Sequence, residues 1–299
     1  MDVIINAAGL TKRYGSSAAL DNLDLEVYKG EVLGYLGPNG AGKTTTIRLL
    51  LGLIRPTSGR ASIFGLDCQK DKIAIHKRVA YVPGEATLWP SLTGAETLHL
   101  LGKVHGETDR KYLKELITRF KFDQNKKVRT YSKGNRQKIN LLAALATRAD
   151  LLILDEPTAG LDPIMEQAFR ESIDEAKTNG QTIFLSSHIL EEVESLCDRV
   201  AILRAGKLIE LGTLAQMRHL SALSIEATFD DKPPSIKGLK GVSSVKIVGH
   251  QLNCQVRGPI DELLAVLSAA KPKTLLSREP SLEELFLSLY GDEKPHGHG

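Results

Sequence analysis

The run "GPNGAGKTT", from Gly37 to Thr45, has residue types and a spacing suited to holding a polyphosphate. Through Thr44 it matches G-x-x-x-x-G-K-[ST]. Gly37, Gly40 and Gly42 let the backbone wrap closely, with Pro38, Asn39 and Ala41 completing the loop. Such a loop turns its N–H groups toward β- and γ-phosphates, at the positive end of the helix that follows. Lys43 is expected to neutralise phosphate charge and Thr44 to offer its hydroxyl to Mg²⁺. The loop therefore predicts a bound nucleoside triphosphate, but alone it leaves kinase, GTPase and ATPase open. "LLILDE" narrows the choice. Asp155, at the end of an apolar run, is expected to hold Mg²⁺ through water, and Glu156 to act on an attacking water as general base. A GTPase would need a guanine-reading N-K-x-D, and the sequence contains none.

For these groups to meet, strands must deliver them to one edge of a sheet. "EVLGYLG" (Glu31–Gly37) reads as a buried strand, and "KTTTIRLLLGLI" as the helix after it, with Gly52 near its end. "LLILDEP" and "QTIFLSSH" read as further buried strands, and "ILEEVESLCD" as a helix. "RVAILRAGKLIELG" predicts a hairpin turning at Ala205–Gly206. Strands alternating with helices predict an α/β domain with a largely parallel sheet. From Leu92 to Arg129 that rhythm gives way to helical patterning, which predicts an inserted helical subdomain. Near Met217 the character changes again. "VKIVGHQLNCQVR" reads as a hairpin through Gly249–His250, "DELLAVLSAA" as a helix, and "SLEELFLSLYG" as a helix opened by a Ser281/Glu284 capping box.

The bulk properties exclude other classes. A net charge of +3 over 299 residues is too small to argue for nucleic acid or an acidic membrane surface. Three scattered cysteines, Cys68, Cys197 and Cys254, lack metal-type spacing and suit reduced, buried thiols. No run approaches the roughly 18 apolar residues that a membrane span requires. The N-terminus lacks the apolar segment of a signal peptide.

Taken in order, these residues resemble the ATP-binding subunit of an ABC transporter over nearly the whole chain. Besides "GPNGAGKTT" and "LLILDEP", the family's dimer-contact loop is matched by "AGLDP", with Asp162. His188 in "LSSHIL" resembles the switch histidine that contacts the γ-phosphate and holds the attacking water. Tyr14 in "LTKRYG" resembles the aromatic that stacks on adenine. "YSKGNRQK" stands where the family has its LSGGQ signature. The resemblance implies two cassettes facing head to tail, so that Ser132, Lys133 and Gly134 of one meet the ATP held by the other. Catalysis then falls to Glu156 and His188, and nucleotide binding to Tyr14, the Gly37–Thr45 loop, the signature and Asp162.

Two departures stand out. The signature's usual second-position glycine is Lys133, set in the loop before a helix expected from Asn135. In "YVPGEATLWP" the family's Mg²⁺-contacting glutamine aligns with Gly84, leaving Glu85 as its candidate replacement beside Thr44 and Asp155. Trp89 follows, either as an anchor for a membrane subunit or as core.

The implied fold is α/β, a P-loop NTPase of ABC type. It comprises an ATP-binding domain over 1–218 with a helical subdomain at about 88–147, a small C-terminal α/β appendage over 219–291, and a disordered tail over 292–299. The implied cofactors are ATP and Mg²⁺. The implied partners are a second copy and transmembrane permease subunits, with no nucleic acid, and the implied place is the cytoplasmic face of a membrane. "YVPGE", "YSKGNRQK" and "PSLEELFLSLYG" look most like the drug- and antibiotic-export branch. An importer subunit is the alternative within transport. A soluble ABC-type ATPase acting on DNA or ribosomes would show heptads, cysteine pairs or a second cassette, and the sequence has none of these.

Overall fold

The structure, a computed structural model, describes residues 2–85, 87–105, 108–219 and 223–278. The chain divides into two compact units, Met1–Leu211 and Gly212–Gly299. The break thus precedes the expected boundary at 218. Thr213 and Gln216 form a capping box, each side chain accepting the other's backbone N–H, and this starts a helix that belongs to the second unit.

The first unit opens with β1 (Val3–Tyr14), β2 (Ser17–Tyr28), β3 (Val32–Leu36) and α1 (Lys43–Leu50). Then come β4 (Ser58–Ile63), β5 (Leu66–Asp67), α2 (Lys72–His76) and β6 (Val79–Val82). Three helices follow, α3 (Gly94–His105), α4 (Arg110–Arg119) and α5 (Lys133–Leu145). The chain next alternates through β7 (Leu151–Asp155), α6 (Pro163–Thr178), β8 (Thr182–Ser187), α7 (Leu190–Leu196) and β9 (Arg199–Arg204). It returns through Ala205–Gly206, both at positive φ, into β10 (Lys207–Thr213).

One sheet runs β10-β9-β3-β8-β7-β6, and β9, β3, β8, β7 and β6 pair in parallel. Its inner strands β3, β7 and β8 are buried along their whole length because both faces are covered. Alternate residues of β7 show this. Leu151 and Ile153 pack with β1, β2 and α1, whereas Leu152 and Leu154 pack with residues of α4, α5 and α6 such as Leu116, Leu142 and Phe169. A second, antiparallel sheet, β2-β1-β4-β5, forms the outer layer over α1.

In the second unit, α8 (Leu214–His219) leads to β11 (Leu223–Thr228), β12 (Val242–Val248), β13 (Gln251–Val256), α9 (Asp261–Ala269) and β14 (Thr274–Arg278). The strands form an antiparallel sheet in the order β12-β13-β11-β14. Ile225, Ala227, Leu252 and Cys254 pack on Leu263 and Leu267 of α9. The helix expected from Ser281 and Glu284, and the tail over 292–299, lie outside the described residues. Among those described, no helix is long and apolar enough to cross a membrane. All three cysteines are free, and burial pushes the Cys68 thiol up to about 12.

Candidate nucleotide site

The parallel strands β3, β7 and β8 deliver three loops to their C-terminal edge, and the chemistry gathers there. After β3 the chain wraps into α1 through Gly40 and Gly42, at φ 81° and 109°. A Cβ on Gly42 would stand 2.5 Å from the Ala19 carbonyl, so the loop closes on β2 only with glycine. Ala41 ties the loop to the β9–β10 turn by accepting the Gly206 N–H at 3.0 Å. Pro38, Asn39, Gly40, Thr44, Thr45 and Glu156 are among the residues lining a hollow of about 170 Å³. Lys43 is buried beneath it. Its Nζ donates to the Gly37 carbonyl at 2.7 Å and the Pro38 carbonyl at 3.3 Å, and pairs with Glu156 Oε1 at 3.2 Å.

Asp155 is buried at the end of β7. Its Oδ2 accepts the Thr44 hydroxyl at 2.9 Å, and its Oδ1 accepts the Ser186 hydroxyl at 2.5 Å. A fixed carboxylate facing a threonine hydroxyl supplies the hard oxygen donors that Mg²⁺ takes. Among the described residues no three His, Cys, Asp or Glu side chains gather as a metal cage. A cation completed by phosphate and water oxygens does not need one. Glu85 is exposed and lines an adjoining hollow of about 360 Å³ with Thr44, Asp155, Glu156 and Lys133. A Cβ on Gly84 would meet the Asp155 carbonyl at 3.1 Å, so a side chain there presses on the strand end that holds Asp155.

Glu156 occupies the left-handed region at φ 48°, which is costly for a residue with a Cβ. Its N–H donates to the Ser186 carbonyl at 3.0 Å, so β8 holds the strained turn in place. The turn aims the carboxylate between two partners. Oε1 faces Lys43, and Oε2 lies 3.4 Å from His188 Nδ1. Three loops thus bring an ammonium and an imidazole to the two oxygens of one carboxylate that lines the hollow.

The signature segment differs from expectation at its lysine. Helix α5 begins at Lys133 rather than Asn135, with Ser132 as its N-cap accepting the Asn135 N–H at 3.3 Å. Lys133 is therefore the first helical residue, and its aliphatic stem passes beside Gly160. Tyr131 is buried, packed on Phe122 at 5.3 Å between ring centroids, with its hydroxyl donating to the Asp123 carbonyl at 2.5 Å. Asp162 caps α6 through the Met165 N–H at 3.0 Å. Tyr14, at the end of β1, is half-exposed with Lys12 Nζ 5.0 Å over its ring, so a base stacking there shares the ring with an ammonium. Sequence reasoning did not single out Ser186 or Ser187, which flank the site from β8. Two consecutive serines at the end of an apolar strand were the available signal.

Known proteins resemble this chain over nearly its whole length. A family model described as ABC transporter matches residues 20–159. The bacitracin transport ATP-binding protein of Bacillus licheniformis is 43% identical over 302 residues, covering 97% of this chain and 98% of that one. A daunorubicin resistance ATP-binding protein of Streptomyces coeruleorubidus is 35% identical over 309 residues, covering 98% of each. A solved ATP-binding subunit of an ABC transporter is 33% identical with a TM-score of 0.67, covering 72% of this chain and 92% of that one.

Proposed function

Since the chain belongs to the ABC transporter family as an ATP-binding subunit, we propose that it powers export of a drug or antibiotic. Two copies close on ATP while docked to a separate membrane permease, at the cytoplasmic face of the membrane. The chain is an ABC-type ATPase, and the observation that carries its mechanism is Glu156 held between Lys43 and His188. A triphosphate in the loop offers Lys43 stronger partners than two carbonyls and one carboxylate. As the ammonium turns to phosphate oxygens, Glu156 Oε1 is released to take a proton from water, while Oε2 stays against the imidazole. Mg²⁺, held by Thr44 and through water by Asp155, would neutralise charge on the phosphate oxygens. Names of relatives that refer to daunorubicin resistance and bacitracin transport support the export reading.

The test is co-purification of the chain in detergent with its native membrane partner, followed by ATPase assays against candidate antibiotics. Stimulation by a drug is the expected result. A chain that captures no membrane subunit removes the reading.

Two variants sharpen it. Trp89 is 46% exposed, which favours an anchor over core packing. Trp89→Ala should leave basal ATPase unchanged and weaken permease binding by about 2 kcal/mol, a roughly 30-fold loss in affinity. Unchanged affinity for the permease would return Trp89 to a surface role. Lys133→Gly should leave ATP-driven pairing largely intact, because Ser132 and the N–H groups opening α5 remain to meet a phosphate. Collapse of the ATP-dependent dimer on gel filtration would mean that the lysine itself holds phosphate.

A further inference from the structure

Glu156 and His188 are only partly covered, 27% and 47% exposed at the side chain, and the 3.4 Å between them is long for a hydrogen bond. Their spacing is therefore set from behind, by the loops that carry them. Glu192 lies there. It is 4% exposed in the first turn of α7, four residues past His188. Its Oε2 accepts the Ser187 hydroxyl at 2.5 Å, and that hydroxyl oxygen accepts the Ile189 N–H at 2.9 Å. One carboxyl thus braces the backbone on both sides of His188. The buried Thr158, two residues after Glu156, lies beside the same carboxyl. Oε1 is buried and closes no hydrogen bond of good geometry among the described residues. Burial pushes the carboxyl upward from the ordinary carboxylate range, with Glu166 reinforcing the shift and Arg170 opposing it.

We propose that Glu192 is a positioning residue for ATP hydrolysis. Through Ser187 it fixes the backbone that carries His188, from a buried position beside Thr158 of the loop that carries Glu156, and so sets the distance at which the two act on water. A buried carboxyl with one oxygen that closes no hydrogen bond among the described residues, placed where two catalytic loops converge, needs a reason to be there. Holding the backbone on both sides of His188 is one that the hydrogen bonds through Ser187 describe. Misplacement by about 1 Å can lower a rate on the order of 10²-fold.

The proposal rests on the roles given above to Glu156 and His188, and the test separates the two. In the full chain, Glu192→Ala should lower kcat by about 10- to 100-fold at unchanged ATP affinity, read by fluorescent-nucleotide binding. Glu192→Gln should stay within a few-fold of wild type, since the amide oxygen accepts from Ser187 and the amide N–H reaches toward Thr158. With His188→Ala already present, Glu192→Ala should add little, because the group that it positions is gone. Wild-type kcat in Glu192→Ala, an equal further loss in the His188→Ala background, or failure of Glu192→Gln to rescue would each overturn the proposal. Should Glu192→Ala not fold, Ser187→Ala and Thr158→Val each remove one arm, and wild-type kcat in both is the overturning result. If His188→Ala itself turns over normally, the underlying assignment fails and the proposal falls with it.

Discussion

Glu156→Gln should lower ATP turnover by roughly 10²–10⁴-fold while ATP still binds. The side chain keeps its shape, and Lys43 keeps its carbonyl partners Gly37 and Pro38, so the phosphate loop has no cause to rearrange. What is lost is the ability to accept a proton from water at the end of a strained turn built to present it. Binding should hold or tighten, because the change removes a negative charge from the place where a triphosphate arrives, and Lys43 no longer has to leave a carboxylate. Steady-state phosphate release gives the first quantity, and gel filtration with ATP the second, where the paired form should persist. Wild-type turnover would remove Glu156 as the base. Turnover and ATP affinity falling in proportion would place Glu156 on the nucleotide instead of the water.

The parts of this site legible from sequence are those set by short-range chemistry. The phosphate loop announces itself through glycines that a wrapped backbone requires, and β7 through an apolar run whose alternate residues both find cover. The antiparallel sheet was less visible because β1 is irregular. Gly9 at φ 57° and shifts of register on either side of Leu10 break the period-two alternation that marks a strand. The signature pattern puts Lys133 in a loop because it expects a glycine there, although Ser132 carries an N-cap signal one residue before it. Glu192 was illegible for a different reason. Glu191, Glu192 and Glu194 stand almost side by side in α7, and only the packed structure shows which of them turns inward to Ser187. The two hairpins, at Ala205–Gly206 and Gly249–His250, were readable because positive φ restricts which residues can turn there.

Gly134→Ala should remove most ATPase activity and destabilise the fold, while Lys133→Gly next to it leaves pairing largely intact. A Cβ on Gly134 would stand 2.2 Å from the Gly160 carbonyl oxygen, a clash with backbone that no side-chain rotation relieves. Either the start of α5 or the loop through Gly160 has to move, and overpacking of this kind costs about 1–3 kcal/mol. For a unit of this size that is a fall in Tm of roughly 2–12 °C. Both segments carry the site. The loop follows directly on Glu156 and Thr158 and runs into Asp162, the cap of α6. The helix start carries Ser132 and the N–H groups that the proposed function offers to a partner's ATP. One methyl group would therefore displace both the proposed general base and the segment proposed to meet a second copy, and a shift near 1 Å is enough for a loss on the order of 10²-fold. Thermal melting and phosphate release on the same preparation decide the matter. Unchanged Tm with unchanged turnover would mean that the loop yields freely, leaving glycine at 134 to be explained by close approach to phosphate alone. A lower Tm with normal turnover would make the Gly134–Gly160 approach a stability feature and separate it from catalysis.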